Sequence, residues 1–202
     1  MGSDELDWEK RLKIHTFGRD ASNSDNYRYP YEPTNYCVLE RLANSNLIGK
    51  KNTMIDYGCG KGRVGFFMSF QTGCRTIGIE FDERLYQKAE ENKHTAVSGQ
   101  KVELLLENAE EHIVEEKADR FYFFNPFSIG ILQSVLGKIM DSYYHNPREM
   151  FLFFYYPSDE YVAFLMTVPE LEFYDDIDCR DLFLSASDRE KILVFTLPGI
   201  EE

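Results

Sequence analysis

The chain has 202 residues and a formal net charge of −13 at pH 7, from 22 Lys+Arg against 35 Asp+Glu. That length suits one domain with a sizeable core, and 43% apolar residues with 15% aromatics are too many for a disordered chain. The acidic balance argues against a protein that grips nucleic acid chiefly through phosphates, leaving room only for a local basic patch, and the apolar run at 151–156 is far too short for a membrane span.

Residues 5–14 predict a short amphipathic helix with Leu6, Leu12 and Ile14 on its apolar side. Residues 15–26 are polar and read as loop. The stretch 27–36 carries tyrosines at 27, 29, 31 and 36, and Pro30 and Pro33 hold it extended. Thr34 is the expected N-cap of a helix running to about residue 43, with Cys37, Val38, Leu39 and Leu42 on one side. A strand at 53–56 enters a glycine turn, and a helix follows at 63–70. Next come a strand at 75–80, a helix at 83–93, and strands at 101–106 and 121–124. Ser128 is placed to cap a helix whose apolar residues fall at Leu132, Val135, Leu136, Ile139, Met140 and Tyr143, the stripe of a helix lying on a sheet. Residues 151–156 are continuously apolar, as in a strand covered on both faces. A helix at 161–167 precedes strands at 171–178 and 191–197, which have no helical pattern between them and so suggest an antiparallel pair.

Repeated strand–helix units with such an ending predict an α/β fold. Its sheet is doubly wound, mostly parallel and seven-stranded, with an antiparallel C-terminal pair and helices on both faces. Residues 1–33 divide off as an N-terminal helix and aromatic lid segment, and 34–202 as the sheet domain. Cys37, Cys59, Cys74 and Cys179 form no C-x-x-C pair and no zinc-like spacing with histidines. No basic start with an apolar core stands at the N-terminus. A cytoplasmic protein with reduced cysteines and no metal is expected.

The most informative segment is Met54-Ile-Asp-Tyr-Gly-Cys-Gly-Lys-Gly-Arg63. A strand enters a turn with glycines at 58, 60 and 62, and a helix leaves it. Glycine serves where φ is positive or where a ligand approaches the backbone, and a helix start offers unpaired N–H groups. In a doubly wound sheet this turn lies at the carboxyl ends of the strands, where ligands bind. Three alternating glycines are costly in chain entropy and hard to explain by packing alone. Gly60-Lys-Gly-Arg-Val-Gly65 also satisfies the dinucleotide pattern, so NAD(P) competes as the ligand. However, the strand ends at Asp56, four residues before Gly60, and a carboxylate there suits a cationic group better than a pyrophosphate. Glu80 closes the second strand, where a carboxylate can accept from both hydroxyls of a ribose. Asn108, after the third strand, is placed to bond an adenine edge or to make an Asx turn. Asn125, after the fourth, sits where a parallel sheet places reactive groups, with Pro126 stiffening the backbone and Phe127 as an aromatic wall.

With Asp56-Tyr-Gly-Cys-Gly-Lys-Gly62, Glu80, Asn108-Ala109 and Asn125-Pro-Phe127, the chain resembles the class I S-adenosylmethionine-dependent methyltransferases over residues 34–197. The resemblance implies a Rossmann-like seven-strand fold and S-adenosylmethionine as cofactor. Asp56, Gly58 and Gly60 would hold its amino-acid end, and Gly62 would let the helix pack close. Glu80 would bind the ribose with Phe81 beside the adenine, Asn108 and Ala109 would contact the adenine edge, and Asn125 would line the methyl-transfer site. Tyr31-Glu-Pro-Thr34 with Phe124-Asn-Pro-Phe127 is similar to the layout of seven-strand (non-SET) lysine methyltransferases of the silencing-disruptor type. Asn-Pro-Phe also resembles the (Asn/Asp)-Pro-Pro-(Tyr/Phe) motif of amino-group methyltransferases, with one proline in place of two.

Methyl transfer from a sulfonium is an in-line displacement that needs positioning and exclusion of water. Asn125 is the residue expected to accept from an acceptor N–H or otherwise orient the nucleophile, pointing to an amine nitrogen. Tyr27, Tyr29, Tyr31 and Phe127 would wall the site, unless the tyrosines simply cover the sheet edge. Asn125, Phe127 and Tyr31 are thus the candidate catalytic residues. Two other functions compete: an NAD(P)-dependent oxidoreductase, and a nucleoside-cofactor-binding protein without catalysis. The expected partner is a small-molecule or protein acceptor, favoured by the charge over nucleic acid, with no membrane.

Overall fold

Side chains alternate along the strands between two apolar layers, and that alternation builds the molecule. The computed structural model describes residues 3–20, 22 and 29–199. Among them the elements run α1 (Ser3–Leu12), α2 (Tyr36–Ala43), β1 (Thr53–Tyr57), α3 (Arg63–Thr72), β2 (Arg75–Glu80) and α4 (Glu83–Thr95). They continue with β3 (Val102–Leu106), β4 (Ala118–Phe123), α5 (Ile129–His145), β5 (Met150–Tyr155), α6 (Asp159–Leu165), β6 (Glu172–Asp178) and β7 (Lys191–Leu197). The strands form one seven-stranded sheet in the order β3-β2-β1-β4-β5-β7-β6. β1 to β5 pair in parallel, and β7 lies antiparallel between β5 and β6. This is the Rossmann-like α/β architecture expected from the strand–helix alternation.

β5 is buried along its whole length. Its Phe151, Phe153 and Tyr155 join a layer with Trp8, Leu39, Phe66 and Phe67 from α1, α2 and α3. Its Met150, Leu152 and Phe154 join the other layer with Leu132, Val135, Leu136 and Ile139 from α5. Asp82 caps α4 by accepting from the Arg84 N–H at 2.9 Å, and Ser158 caps α6 by accepting from the Tyr161 N–H. Thr34 does not cap α2, contrary to expectation. Asn35 holds the cap position, and the Thr34 hydroxyl instead pairs with the Tyr122 hydroxyl at 3.0 Å inside the core. Ser128 does stand at the cap position of α5 but makes no side-chain bond there.

The N-terminal segment is clamped to the sheet domain by one buried cation. Arg63, at the start of α3 and 2% exposed, donates to Glu5 at 2.7 Å, Glu9 at 3.2 Å, the Thr16 hydroxyl at 2.6 Å and the Thr34 carbonyl at 3.0 Å. Its guanidinium lies 4.3 Å from the Tyr36 ring centre. Glu9 in turn accepts from the Thr16 N–H at 2.8 Å and the Tyr36 hydroxyl at 2.9 Å. Five groups from three stretches of chain therefore converge just past the glycine turn. All four cysteines are free. Among the described residues, no helix is long and apolar enough to cross a membrane.

Candidate functional site

The strand order reverses direction between β1 and β4, and a crevice opens at such a switch point beyond the carboxyl ends of the strands. A pocket of about 450 Å³ occupies it. Each flanking strand contributes the residues that follow it: Gly58 after β1, Glu80 and Phe81 at β2, Asn108 and Ala109 after β3, and Asn125 and Phe127 after β4. Tyr31 enters from the N-terminal side, in the segment that crosses these strand ends. Asp56, Gly60 and Gly62 lie behind this lining rather than in it.

The glycine turn is explained by its neighbours. Gly58, Gly60 and Gly62 have φ of +76°, +56° and +84°, a region that L side chains rarely adopt. A Cβ on Gly58 would stand 2.6 Å from Pro126, one on Gly62 would stand 2.6 Å from Phe66, and one on Gly60 would run into the Tyr31 ring. Each of the three glycines is thus closely packed by a neighbouring side chain. Tyr31 packs against Gly60, its hydroxyl donates to the Thr16 carbonyl at 2.6 Å, and the Lys61 ammonium lies 4.8 Å from its ring centre.

Two carboxyls set the electrostatics beneath this turn. Glu80 accepts from the Gly60 N–H at 2.8 Å through one oxygen and from the Asp82 N–H at 2.9 Å through the other. Burial raises the Glu80 pKa. Asp56 is 3% exposed, and its Oδ2 has no hydrogen-bond partner among the described residues. Burial, and then the nearby Glu80 charge, push its pKa up to about 8. A pyrophosphate would meet two acids here. A cation with N–H donors would satisfy the orphaned oxygen and hold Asp56 ionised.

The other end of the pocket is aromatic. Asn125 has φ +40°. Its amide donates to the Tyr156 carbonyl at 2.8 Å and accepts from the Ser158 N–H at 3.3 Å. The amide expected to meet an acceptor N–H thus ties the end of β4 to the end of β5. The Pro126 carbonyl is likewise paired, with the Tyr29 N–H at 3.3 Å. Phe127 is buried against Phe123 and borders the pocket. Tyr29 borders it with much of its ring exposed. Tyr27 lies outside the described residues. Asn108 makes the Asx turn weighed against its ligand role, accepting from the Glu110 N–H at 3.3 Å, and still lines the pocket.

Three residues important to the site were not singled out from sequence. Tyr156 has φ +50°, and the Arg189 guanidinium stacks 4.3 Å from its ring centre while donating to the Tyr156 and Pro157 carbonyls at 3.0 and 2.8 Å. Both line the pocket. Tyr156-Pro157 at a strand end was a signal of the same kind as Asn125-Pro126, whereas Arg189 arrives from the β6–β7 connection with no local signal. Arg63 is the third. Its clue was the pair Glu5 and Glu9, one helical turn apart, facing a cation that follows three glycines.

No protein-family model matches the sequence, and no curated protein matches it. Solved structures do. The chain is similar to an RNA methyltransferase from Salinibacter ruber in complex with S-adenosyl-L-homocysteine, with TM-score 0.56, 18% identity, and coverage of 85% of this chain and 97% of that one. It is similar to an S-adenosylmethionine-dependent O-methyltransferase from Thermotoga maritima, with TM-score 0.61, 14% identity, and coverage of 85% and 68%. It is also similar to an rRNA methylase from Streptococcus thermophilus, with TM-score 0.56, 14% identity, and coverage of 81% and 95%. At these identities the likeness is one of fold, and the fold is the seven-stranded, Rossmann-like one of these methyltransferase structures.

Proposed function

We propose that the chain is an S-adenosylmethionine-dependent methyltransferase whose acceptor is a flat ring, a nucleobase of RNA. The observation that carries this reading is a single pocket joining Glu80 and Asn108 at one end to Phe127 and Tyr156 at the other. The donor end fits the cofactor on its chemistry: a carboxylate at Glu80 lines the pocket for ribose hydroxyls, and behind that lining lies an orphaned buried carboxyl oxygen at Asp56 for an α-ammonium. Phe81, Asn108 and Ala109 border the part of the pocket left for the adenine. When bound, the cofactor supplies an electrophilic methyl on a sulfonium, which an acceptor lone pair displaces in line.

The chain's own task is to position the acceptor and exclude water. Tyr29, Tyr31, Phe127 and Tyr156 present aromatic surface, which takes a planar ring by stacking or edge contact. Asn125 acts as a positioning residue, holding the two strand ends that carry Phe127 and Tyr156. Two of the similar structures are an RNA methyltransferase and an rRNA methylase, which supports RNA as the acceptor over a small amine.

Calorimetric titration with S-adenosylhomocysteine and with NADH tests the donor. We expect the first to bind and the second not. Glu80→Gln should weaken the first by about 10- to 100-fold, as for loss of a hydrogen bond to a charged group. NADH binding without a response to S-adenosylhomocysteine overturns the reading. A labelled-methyl screen of cell extract split into protein, nucleic-acid and small-molecule fractions tests the acceptor, with label expected in RNA.

A further inference from the structure

The net charge of −13 is unevenly spread: a hollow beside the main pocket is lined by three lysines and one acid. We infer that a strip of basic side chains, from Arg19 across Arg84 and Lys88 to Lys13, binds the phosphates of a single-stranded polynucleotide whose base enters the pocket. This inference rests on the methyltransferase reading and deepens it.

Arg19 stands at the mouth of the main pocket. Arg84 and Lys88 lie one turn apart on α4, each about half exposed, and reach Asp20 only at 3.9 and 3.8 Å. Arg84 also pairs with Asp82 at 2.8 Å. Beyond them a second hollow is lined by Lys13, His15, Lys61, Lys88, Glu91, Asn92 and Thr95. Three lysines face it against one acid. The two hollows share a wall. Lys61 lines the second while its ammonium sits over the ring of Tyr31, which lines the first. Lys88 lines the second and points to Asp20, which lines the first.

Lys61 is itself buried, 8% exposed, and its ammonium donates to the Phe17 carbonyl at 2.5 Å, so it adds positive potential beneath the strip rather than a phosphate contact. Lys13 is fixed at the end of α1 in a left-handed conformation, φ +61°, and its carbonyl accepts from the Thr95 hydroxyl at 2.7 Å. The backbone under the strip is thus tied to α4. A polynucleotide supplies both things the surface asks for: a planar ring for the aromatic end of the pocket, and regularly spaced anions for the wall beside it. An acidic peptide supplies only the second.

Fluorescence anisotropy of a short, mixed-sequence, single-stranded RNA tests this with the full chain, with and without S-adenosylhomocysteine. Binding should weaken steeply between about 50 and 200 mM salt, because each released counterion adds about 0.7 to the log–log slope on single strands. Lys13→Gln with Lys88→Gln should lower affinity by about tenfold at the lower salt and reduce the slope by about 1.4. Lys51→Gln, at the opposite end of the sheet, should change neither. S-adenosylhomocysteine titration of the double variant should match the parent. The strip is overturned if the parent fails to bind RNA at the lower salt, if the double variant binds as tightly as the parent, or if a polyglutamate peptide binds as tightly as RNA. Loss of S-adenosylhomocysteine binding by the parent would instead refute the cofactor reading, a separate result from the RNA measurement.

Discussion

Burial displaces the titration of Asp56, beneath the glycine turn. Its carboxyl is displaced from the ordinary value of 3.8 to about 8 in the folded chain. Between those values the native state holds a proton that the unfolded chain has lost, so ionisation of Asp56 removes stability from the ligand-free fold as pH rises through this window. Asp56→Asn should therefore flatten the fall of Tm between about pH 5 and 8, checked by thermal melts in matched buffers. A cation that pairs with Asp56 demands the ionised form. Wild-type binding of S-adenosylhomocysteine at neutral pH should release a proton, seen as a binding enthalpy that follows the buffer's own ionisation heat. The asparagine variant should bind more weakly and show no such dependence. At Gly60, the left-handed backbone and the Tyr31 ring each exclude a side chain, so one residue couples the glycine turn to the segment that covers it.

Among the elements, α1 and the ends of β4 and β5 decide how the pocket is held. α1 contributes Glu5 and Glu9 to Arg63, and the Thr16 backbone held in that knot is the anchor of the Tyr31 hydroxyl. Removing one partner leaves a buried charge unpaired, at a cost of about 3–5 kcal/mol. Glu9→Ala should lower Tm by about 6–20 °C for a domain of this size, measured by calorimetry. Glu9→Gln, which keeps its hydrogen-bonding oxygen, should lose less. Across β4 and β5, Asn125→Asp puts an acceptor against the Tyr156 carbonyl. Turnover should fall by about a hundredfold through misplacement of the acceptor, while S-adenosylhomocysteine affinity stays unchanged. An equal loss of both would sink the positioning role.

At the scale of the whole molecule, charge is partitioned. The edge strand β6 exposes Glu172, Asp175, Asp176 and Asp178 along an otherwise open ladder, and such charges discourage a second chain from pairing there. Phe173 and Tyr174 are half exposed on the same strand. Near the sequence pI of 4.8 the net charge vanishes, and association should rise sharply, read by light scattering against pH. Added salt at neutral pH should act in the same direction but less strongly, because it screens rather than removes charge. The basic strip lies on the α4 side of the pocket, far across the sheet order from β6. A net count of residues averages the two regions into one acidic number.

The sequence alone determined the class of fold, because alternation and helical stripes are local: β2 and β7 fall where the pattern placed them, and β5 is buried on both faces as its apolar run required. It also placed Gly58, Glu80, Asn108 and Asn125 at strand ends, since a parallel sheet brings every carboxyl end to one edge. Partners distant in the chain were not legible. Thr34 reads as a cap by its neighbours but bonds Tyr122, 88 positions away. Asn125 reads as a free amide but is claimed by Tyr156 and Ser158. Arg189 and Arg63 meet their aromatic and acidic partners only after the chain has closed. Hydrogen bonds and buried ion pairs act over about 3 Å, and which groups come that close is decided by packing of the whole sheet, not by spacing along the chain.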